Sequence, residues 1–425
     1  MNNKFSEKLG ILYRIWKRRL FIFLIVIGPG LITAVADNDA GGIATYTVAA
    51  SVYGMASRFL IIPETFLLII TQEIGSRIAI VTKKGLGDLI RERFGVKLAL
   101  FIFLLYFITN QGVVLQNIAG LKASFQIFRL PWPLMLVLTS LFLIFVVIKF
   151  DYKRLQKIFL SMIFFYFAYF IVAIISKPDW GTALKETFIW PANTHLDLNY
   201  WFARIAVLGT TITAWGQFFI HSYVADKKLS IDHLKYQKVE IYLGALITSI
   251  FSFMIAVAVS ETLFKHNITA SDGYAAALAL KPLAGDLAQG LFAIGLFGAS
   301  ILGLTIVPLA TAYVFSELFG YEGSLDIDFK KGRIFYLFFL VQIILAVLIA
   351  LIPQIRLFNL TLYVDYLNGA MLPVIFYFLI VFSENTSIMG KYISTGFTKY
   401  FLRISAVVVS IAVILSFIGK IFKIG

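Results

Sequence analysis

The chain has 425 residues, of which 60% are hydrophobic and 14% are charged, and its formal net charge is +14. A soluble protein has about a quarter of its residues charged, so this composition excludes a soluble globular protein and indicates a helical protein with many membrane crossings. The absence of cysteine excludes disulfides and thiolate metal ligands.

Apolar runs of about 20 residues, the length that crosses a bilayer, recur along the whole chain. They predict an all-α polytopic protein with eleven membrane segments, numbered 1 to 11 in chain order. The predicted ranges are 20–36 continued by a half-helix over 43–54, then 58–82, 97–121, 131–149, 155–176, 202–225 with a break, 239–263, 284–318, 334–353, 358–383 and 401–420. Residues 1–19 are predicted to be a basic tail and residues 20–425 a single transmembrane domain. We expect no cleavable signal peptide, because no small-residue cleavage site follows a short apolar core.

The basic residues are concentrated in the N-terminal tail and in every second predicted loop. The positive-inside rule therefore places the N-terminus in the cytoplasm, and an odd number of segments places the C-terminus outside. This distribution accounts for the net charge, so we expect no nucleic-acid partner. The expected partners are the lipid bilayer of the plasma (inner) membrane and a transported ion, with no obligate protein partner evident.

Segment 1 carries two carboxylates, Asp37 and Asp39, in its middle. The run 38–42 is a poor helix former, so we expect the helix to open there. An ionisable residue at membrane depth marks an ion or substrate pathway by default, and a broken helix exposes carbonyl oxygens and helix ends to an ion. For Asp39 the alternative, which is compatible with ion binding, is an N-cap for the following half-helix. For Asp37 the alternative is a capping or hydrogen-bonding role.

Segment 6 is interrupted in a similar way. Its apolar run is broken by small and polar residues, namely Gly209, Thr210, Thr211, Thr213, Gly216 and Gln217. Two interrupted segments five apart predict two five-segment halves of inverted topology, over about 20–176 and 202–383, followed by an extra segment over about 401–420. The alternative is that glycine and threonine only allow close helix packing.

Several motifs along the chain follow one family pattern. They are Gly28-Pro29-Gly30 and Asp39-Ala40-Gly41-Gly42 followed by Ala44-Thr45, Thr71-Gln72-Glu73-Ile74-Gly75-Ser76-Arg77, Thr82-Lys83-Lys84-Gly85-Leu86-Gly87-Asp88, Gly209-Thr210-Thr211, His221-Ser222, Leu367-Asn368-Gly369 and Met389-Gly390-Lys391. With these motifs the chain resembles the NRAMP family of divalent metal transporters from about residue 20 to about residue 392. The resemblance implies the leucine-transporter architecture, a 5+5 inverted repeat with broken helices 1 and 6.

The resemblance also implies a metal site in the two breaks, although this chain departs from the family pattern. The implied groups are the side chains of Asp39, Asp37, Thr213 and Gln217, the carbonyls of Ala36 and Ala214, and the position of Gly42. The family pairs its Asp with an Asn and a Met sulfur. Here Gly42 stands at the Asn position, and Thr213 or Ala214 stands at the Met position. Oxygen ligands without sulfur suit Mg²⁺, Ca²⁺ and Mn²⁺. The small Gly42 predicts a wider, all-oxygen site for a partly hydrated Mg²⁺, a pattern that resembles the divergent NRAMP-related magnesium transporters.

The residues of segment 3 indicate whether transport is coupled to protons. Typical proton-coupled members of the family carry two carboxylates there, linked to basic residues of segment 9. Residues 99–120 contain no Asp, Glu, Lys, Arg or His, and segment 9 has no basic residue within the membrane. Asn368 is a candidate gate or outer-shell group. His221 is a candidate proton acceptor, with a structural role as the alternative.

The sequence therefore predicts uncoupled transport of Mg²⁺ and/or Mn²⁺ down the electrochemical gradient, with the ion as substrate and no cofactor. A proton-coupled Mn²⁺/Fe²⁺ importer is the first alternative, and a sodium-coupled carrier of a small organic solute is the second. No nucleophile–base arrangement and no phosphate-binding loop is present in the sequence, so we expect no enzymatic activity.

Overall fold

The computed structural model describes residues 28–189, 197–271, 273–352 and 361–422. Within these ranges the α-helices are α1 Pro29–Ala36, α2 Ala40–Tyr53, α3 Ile61–Thr82, α4 Leu86–Phe94, α5 Val96–Ile127, α6 Trp132–Lys149, α7 Tyr152–Met162, α8 Phe167–Ile175, α9 Trp180–Phe188, α10 Leu198–Thr211, α11 Ala214–Asp226, α12 Leu234–Thr262, α13 Gly273–Phe319, α14 Arg333–Ala350, α15 Thr361–Ser383, α16 Thr386–Met389 and α17 Gly396–Phe422. No strand occurs in the part of the chain that these ranges cover.

Nine helical stretches in the described ranges are long and apolar enough to cross a membrane. They correspond to the predicted segments 2 to 5 and 7 to 11, and the two interrupted segments supply the remaining crossings as helix pairs. Segment 1 consists of α1 and α2, and segment 6 consists of α10 and α11. Segment 8 is the larger part of α13, which bends at Gly285. The predicted basic tail and residues 20–27 lie outside the described residues.

Both interruptions start their second helix with a short polar cap. Asp39 precedes α2 and accepts a hydrogen bond from the Gly42 amide, and Thr213 precedes α11 and accepts one from the Gly216 amide. Such a side chain satisfies an amide that has no partner within the helix. The second half-helix of segment 1 consequently begins at Ala40, earlier than the predicted residue 43.

The two interrupted segments lie at the centre of the bundle. Nearly every residue of α2 and α11 is buried. Helix α1 packs against α12, and α10 packs against α15. At the second contact the backbones touch, because a side chain on Gly369 would lie 2.7 Å from the Ile205 carbonyl oxygen. Exposed apolar side chains, among them Phe101, Phe142, Leu348 and Ile404, cover the outer helices, as expected for a lipid-facing surface.

Cavities lie toward both ends of the bundle. One of about 630 Å³ is formed by the ends of α11 and α13 and by the loops around residues 83–85 and 321–331. Another of about 230 Å³ lies among the end of α2 and the beginnings of α10 and α15. Neither cavity is lined by Asp37 or Asp39.

Candidate metal site

Asp39 is held by contacts on both of its carboxylate oxygens. One oxygen accepts the Gly42 amide at 3.0 Å, and the other accepts the Asn117 side-chain amide of α5 at 2.6 Å. The residue is 3% exposed. Each carboxylate oxygen has two lone pairs, so these bonds leave capacity for a cation. The capping role weighed from the sequence is therefore present, and it is compatible with metal binding.

Asp37 joins the two interrupted segments. Its Oδ1 accepts the Thr213 hydroxyl at 2.6 Å, and the Thr213 oxygen also accepts the Gly216 amide at 2.9 Å. The other oxygen, Oδ2, has no partner among the described residues, and the residue is fully buried. A buried carboxylate oxygen without a hydrogen bond is costly. Its presence at a helix break is what a binding site for a cation requires.

The two predicted carbonyl ligands differ in their surroundings. Ala36 is the last residue of α1, where carbonyls lack intrahelical partners. The carbonyls of Thr33, Ala34 and Val35 accept hydrogen bonds from Asp37, Thr248 and Asn38. Ala214 instead begins α11, and helical geometry directs its carbonyl to the amide four residues on. The structure therefore favours Ala36 over Ala214 as a carbonyl ligand.

The surroundings of Gly42 are closely packed. A Cβ atom on Gly42 would lie 2.8 Å from the Asp37 carbonyl oxygen and 2.8 Å from the Thr210 hydroxyl. The space that a side chain would take is thus filled by two oxygen atoms from the two breaks. Glycine at this position brings neutral oxygens together, and the site remains an all-oxygen one.

Asp365 is a further buried carboxylate near Asp39, and it is not among the residues expected from the sequence. It lies in α15, is 2% exposed and accepts the Thr45 hydroxyl of α2 at 2.5 Å. It also lies within electrostatic range of Asp39. An acidic residue inside the apolar run 358–383 is the same signal that marked Asp37. Asn368 lies one turn further along α15 and is also buried.

Gln217 and His221 lie in successive turns of α11, both fully buried. The Gln217 side-chain amide has no partner among the described residues, so it remains a candidate oxygen ligand. His221 Nδ1 lies 2.7 Å from the Gln217 carbonyl oxygen, and the ring packs against Gly75. This bond within the helix fits the structural role that was the alternative for His221.

Asn117 is a second residue whose importance only the structure shows. Its Oδ1 accepts the Ala40 amide at 3.1 Å, while its Nδ2 donates to Asp39 and to the Val113 carbonyl at 2.9 Å. One neutral amide thus fixes both the carboxylate and the first turn of α2. The described ranges contain no group of three or more His, Cys, Asp or Glu side chains arranged for a metal. A site with few charged ligands suits an ion that is bound and then released.

Comparisons with known proteins identify the family and the fold. A family profile described as Nramp, natural resistance-associated macrophage protein-like, matches residues 30–419. The chain is similar to the divalent metal cation transporter MntH of Listeria welshimeri, with 22% identity over 407 residues that cover 90% of this chain and 86% of that protein.

Two solved structures share the fold. A manganese transporter of Eremococcus coleocola, solved with an aromatic bis-isothiourea substituted compound, matches with a TM-score of 0.71 and 16% identity, covering 95% of this chain and 87% of that chain. MhsT in complex with L-phenylalanine matches with a TM-score of 0.61 and 15% identity, covering 94% of this chain and 98% of that chain. The predicted leucine-transporter architecture is thereby confirmed.

Replacing Asn117 by Ala should weaken Mn²⁺ binding by about tenfold or more, because outer-shell partners of metal ligands typically contribute that much. Asn110→Ala is the matched control, since Asn110 is a buried amide of the same helix that donates to Thr311 instead. Calorimetric titration of both purified variants measures the dissociation constants. Equal weakening in the two variants would contradict the positioning role of Asn117.

Proposed function

This chain belongs to the Nramp family, and on that premise we propose that it carries divalent metal cations across a membrane through the site at the two helix breaks. It is a transporter and not an enzyme, and the metal ion is its substrate. The observation that carries the proposal is the Asp37 carboxylate, which is tied to segment 6 through Thr213 and retains an oxygen without a partner. The proposed ligand groups are Asp37, Asp39, Thr213, Gln217 and the Ala36 carbonyl, with Asp365 and Asn368 nearby on α15.

The donor set supports Mg²⁺ and Mn²⁺ as the ions carried. Every proposed donor is an oxygen atom, from carboxylates, a hydroxyl, an amide and a carbonyl. Such ligands suit hard cations, while softer ions gain most from sulfur. Mg²⁺ loses its waters reluctantly and is usually bound by one or two carboxylates, and the break in segment 1 supplies two, Asp37 and Asp39.

The driving force in this proposal is the membrane potential. An inside-negative potential contributes about 2.3 kcal/mol per charge per 100 mV, and a dication gains about twice that on entry. Uptake of this kind requires no coupled proton. Asn117 supports the proposal, because the segment 3 group in contact with Asp39 is a neutral amide that carries no proton to release.

The proposed direction is from the outside into the cytoplasm, with the N-terminus in the cytoplasm. Under this orientation the 630 Å³ cavity faces the cytoplasm. Its lining includes three lysines, Lys83, Lys228 and Lys331, and a larger number of carboxylate residues, namely Asp88, Asp226, Glu317, Glu322, Asp326 and Asp328. An acidic cavity at the inner end attracts cations that leave the central site.

Asp39→Ala should abolish divalent metal flux into proteoliposomes while the protein stays folded, because the main anionic ligand is lost. Asp151→Ala is the matched control: Asp151 also caps a helix, accepting the Arg154 amide at 2.9 Å, but it lies at the exposed start of α7. Both changes should lower stability by about 0.5–2 kcal/mol through the lost cap, and only the first should stop Mn²⁺ and Mg²⁺ flux. Unchanged flux in Asp39→Ala would refute the site.

Ala214→Met should shift binding toward soft ions, so that Cd²⁺ gains affinity relative to Mn²⁺, because it places a thioether at the start of α11. Thr213→Met is the informative comparison. It removes both the cap of α11 and the hydrogen bond to Asp37, so binding of every divalent ion should fall. Competition titrations with Cd²⁺ and Mn²⁺ measure the preference. A wild-type protein that already binds Cd²⁺ far more tightly than Mn²⁺ would count against the oxygen-only site.

Metal uptake should not be accompanied by proton entry. A pH-sensitive dye trapped in proteoliposomes should stay constant while Mn²⁺ or Mg²⁺ enters, and an inward proton gradient should leave the rate almost unchanged. The reason is that residues 99–120 contain no Asp, Glu, Lys, Arg or His and that a bound dication keeps nearby carboxylates ionised. Acidification that scales with metal entry and disappears in Asp39→Ala would establish the proton-coupled importer instead.

A further inference from the structure

Three charged side chains are buried between the outer ends of four helices, outside the metal site. Arg58 ends the short turn that follows α2 and is 0% exposed, Glu64 lies in the first turn of α3 and is 5% exposed, and Arg204 lies in α10 and is 4% exposed. Charged groups at such depth are expensive and mark function by default. None of the metal-binding groups proposed above belongs to this cluster.

Among the described residues, this cluster carries two positive charges, Arg58 and Arg204, and one negative charge, Glu64. Arg204 donates to the Glu64 carboxylate and to the Ser57 carbonyl. Arg58 reaches the same carboxylate only at 3.9 Å, and its one direct hydrogen bond is to the Ser252 hydroxyl at 2.9 Å. One carboxylate therefore serves two guanidinium groups. Because a buried charge needs a compensating charge nearby, the charge of Arg58 has to be balanced from elsewhere.

The metal site has an excess of negative charge instead. Asp37, Asp39 and Asp365 are buried, and none of them forms an ion pair with a basic side chain in the described ranges. The aromatic ring of Tyr46 lies between Arg58 and the end of α10, at the break in segment 6. Its guanidinium carbon lies 4.9 Å from the centre of the Tyr46 ring, and the Tyr46 hydroxyl is 3.1 Å from the Thr211 hydroxyl at the end of α10. Tyr46 lies within electrostatic range of both Arg58 and Asp37.

We infer that Arg58 is a fixed counter-charge of the metal site, which stabilises the empty site and limits how tightly a divalent cation binds. The inference rests on the proposed function. When the site is empty, Arg58 partly compensates the buried carboxylates, so the carrier returns without taking up protons. When a dication is bound, the same charge repels it and favours its release. Arg58 thus acts on affinity through space and does not contact the ion.

A series of variants that changes only the charge of the cluster tests this inference. Arg58→Gln leaves the Glu64–Arg204 pair intact and makes the cluster neutral. Glu64→Gln leaves two guanidinium groups and adds one positive charge. Arg58→Lys is the matched control, because it keeps the charge and removes the planar group. Each variant is purified with its melting temperature recorded, titrated with Mn²⁺ by calorimetry, and assayed for Mn²⁺ flux in proteoliposomes at a fixed potential.

The dissociation constant for Mn²⁺ is expected to rise as the net positive charge of the cluster rises. Arg58→Gln should bind Mn²⁺ at least about tenfold more tightly and turn over more slowly, since a unit charge acting on a dication within the protein changes affinity by at least that much. Glu64→Gln should bind more weakly, and Arg58→Lys should resemble the wild type. Structural damage would instead change the dissociation constants of Arg58→Gln and Glu64→Gln in the same direction.

Three results overturn the inference. The dissociation constants for Mn²⁺ of Arg58→Gln and Glu64→Gln could change in the same direction, or that of Arg58→Lys could change as in Arg58→Gln. Either result would show that the cluster only holds the helices together. Wild-type protein that neither binds nor transports Mn²⁺ would refute the proposed function itself. If the wild-type protein transports Mn²⁺ and Arg58→Gln binds it with an unchanged dissociation constant, only the counter-charge role of Arg58 is refuted.

Discussion

The hydrogen bond from the Thr213 hydroxyl to the Asp37 carboxylate is the contact on which the rest of the site depends. It joins two breaks that are 176 positions apart in the chain, at 2.6 Å. The same threonine oxygen starts α11 by accepting the Gly216 amide, so one side chain fixes both a helix start and a carboxylate. Because the bond uses only one oxygen of Asp37, the other remains for an ion. Any motion that separates segments 1 and 6 must break this bond, and so the geometry of the site depends on how the two segments lie relative to each other.

Much of the fold followed from elementary features of the sequence. Run lengths located the membrane crossings, and the residues around Asp37 and Thr213 located both breaks. The start of the second half-helix was placed a few residues late, since Asp39 acts as its cap and the helix begins directly after it. The surroundings of Gly42 could not be predicted, because a sequence shows which side chain is absent and not which atoms lie nearby, here the Asp37 carbonyl and the Thr210 hydroxyl. Asp365 lies in an apolar run without a break beside it, and its relation to Thr45 depends on how α15 packs against α2.

The buried charges form one system when the site and the outer cluster are considered together. Three carboxylates near the breaks lack basic partners in the described ranges, and one guanidinium of the outer cluster has only a shared carboxylate. Tyr46 lies between the two groups. In a low-dielectric interior such charges influence one another over longer distances than in water. In the proposed function, release of the ion without a proton then depends on this fixed balance, because neither Asn117 nor any other side chain of residues 99–120 takes up a proton.

The most direct test is a structure of the protein with Mn²⁺ bound, in which the ion is located by its anomalous scattering. The account predicts one strong peak between the two breaks, about 2 Å from Asp37 Oδ2 and in contact with Asp39, at the distance that oxygen ligands take from small divalent cations. An ion found only in the acidic cavity at the ends of α11 and α13, with none between Asp37 and Asp39, would contradict it.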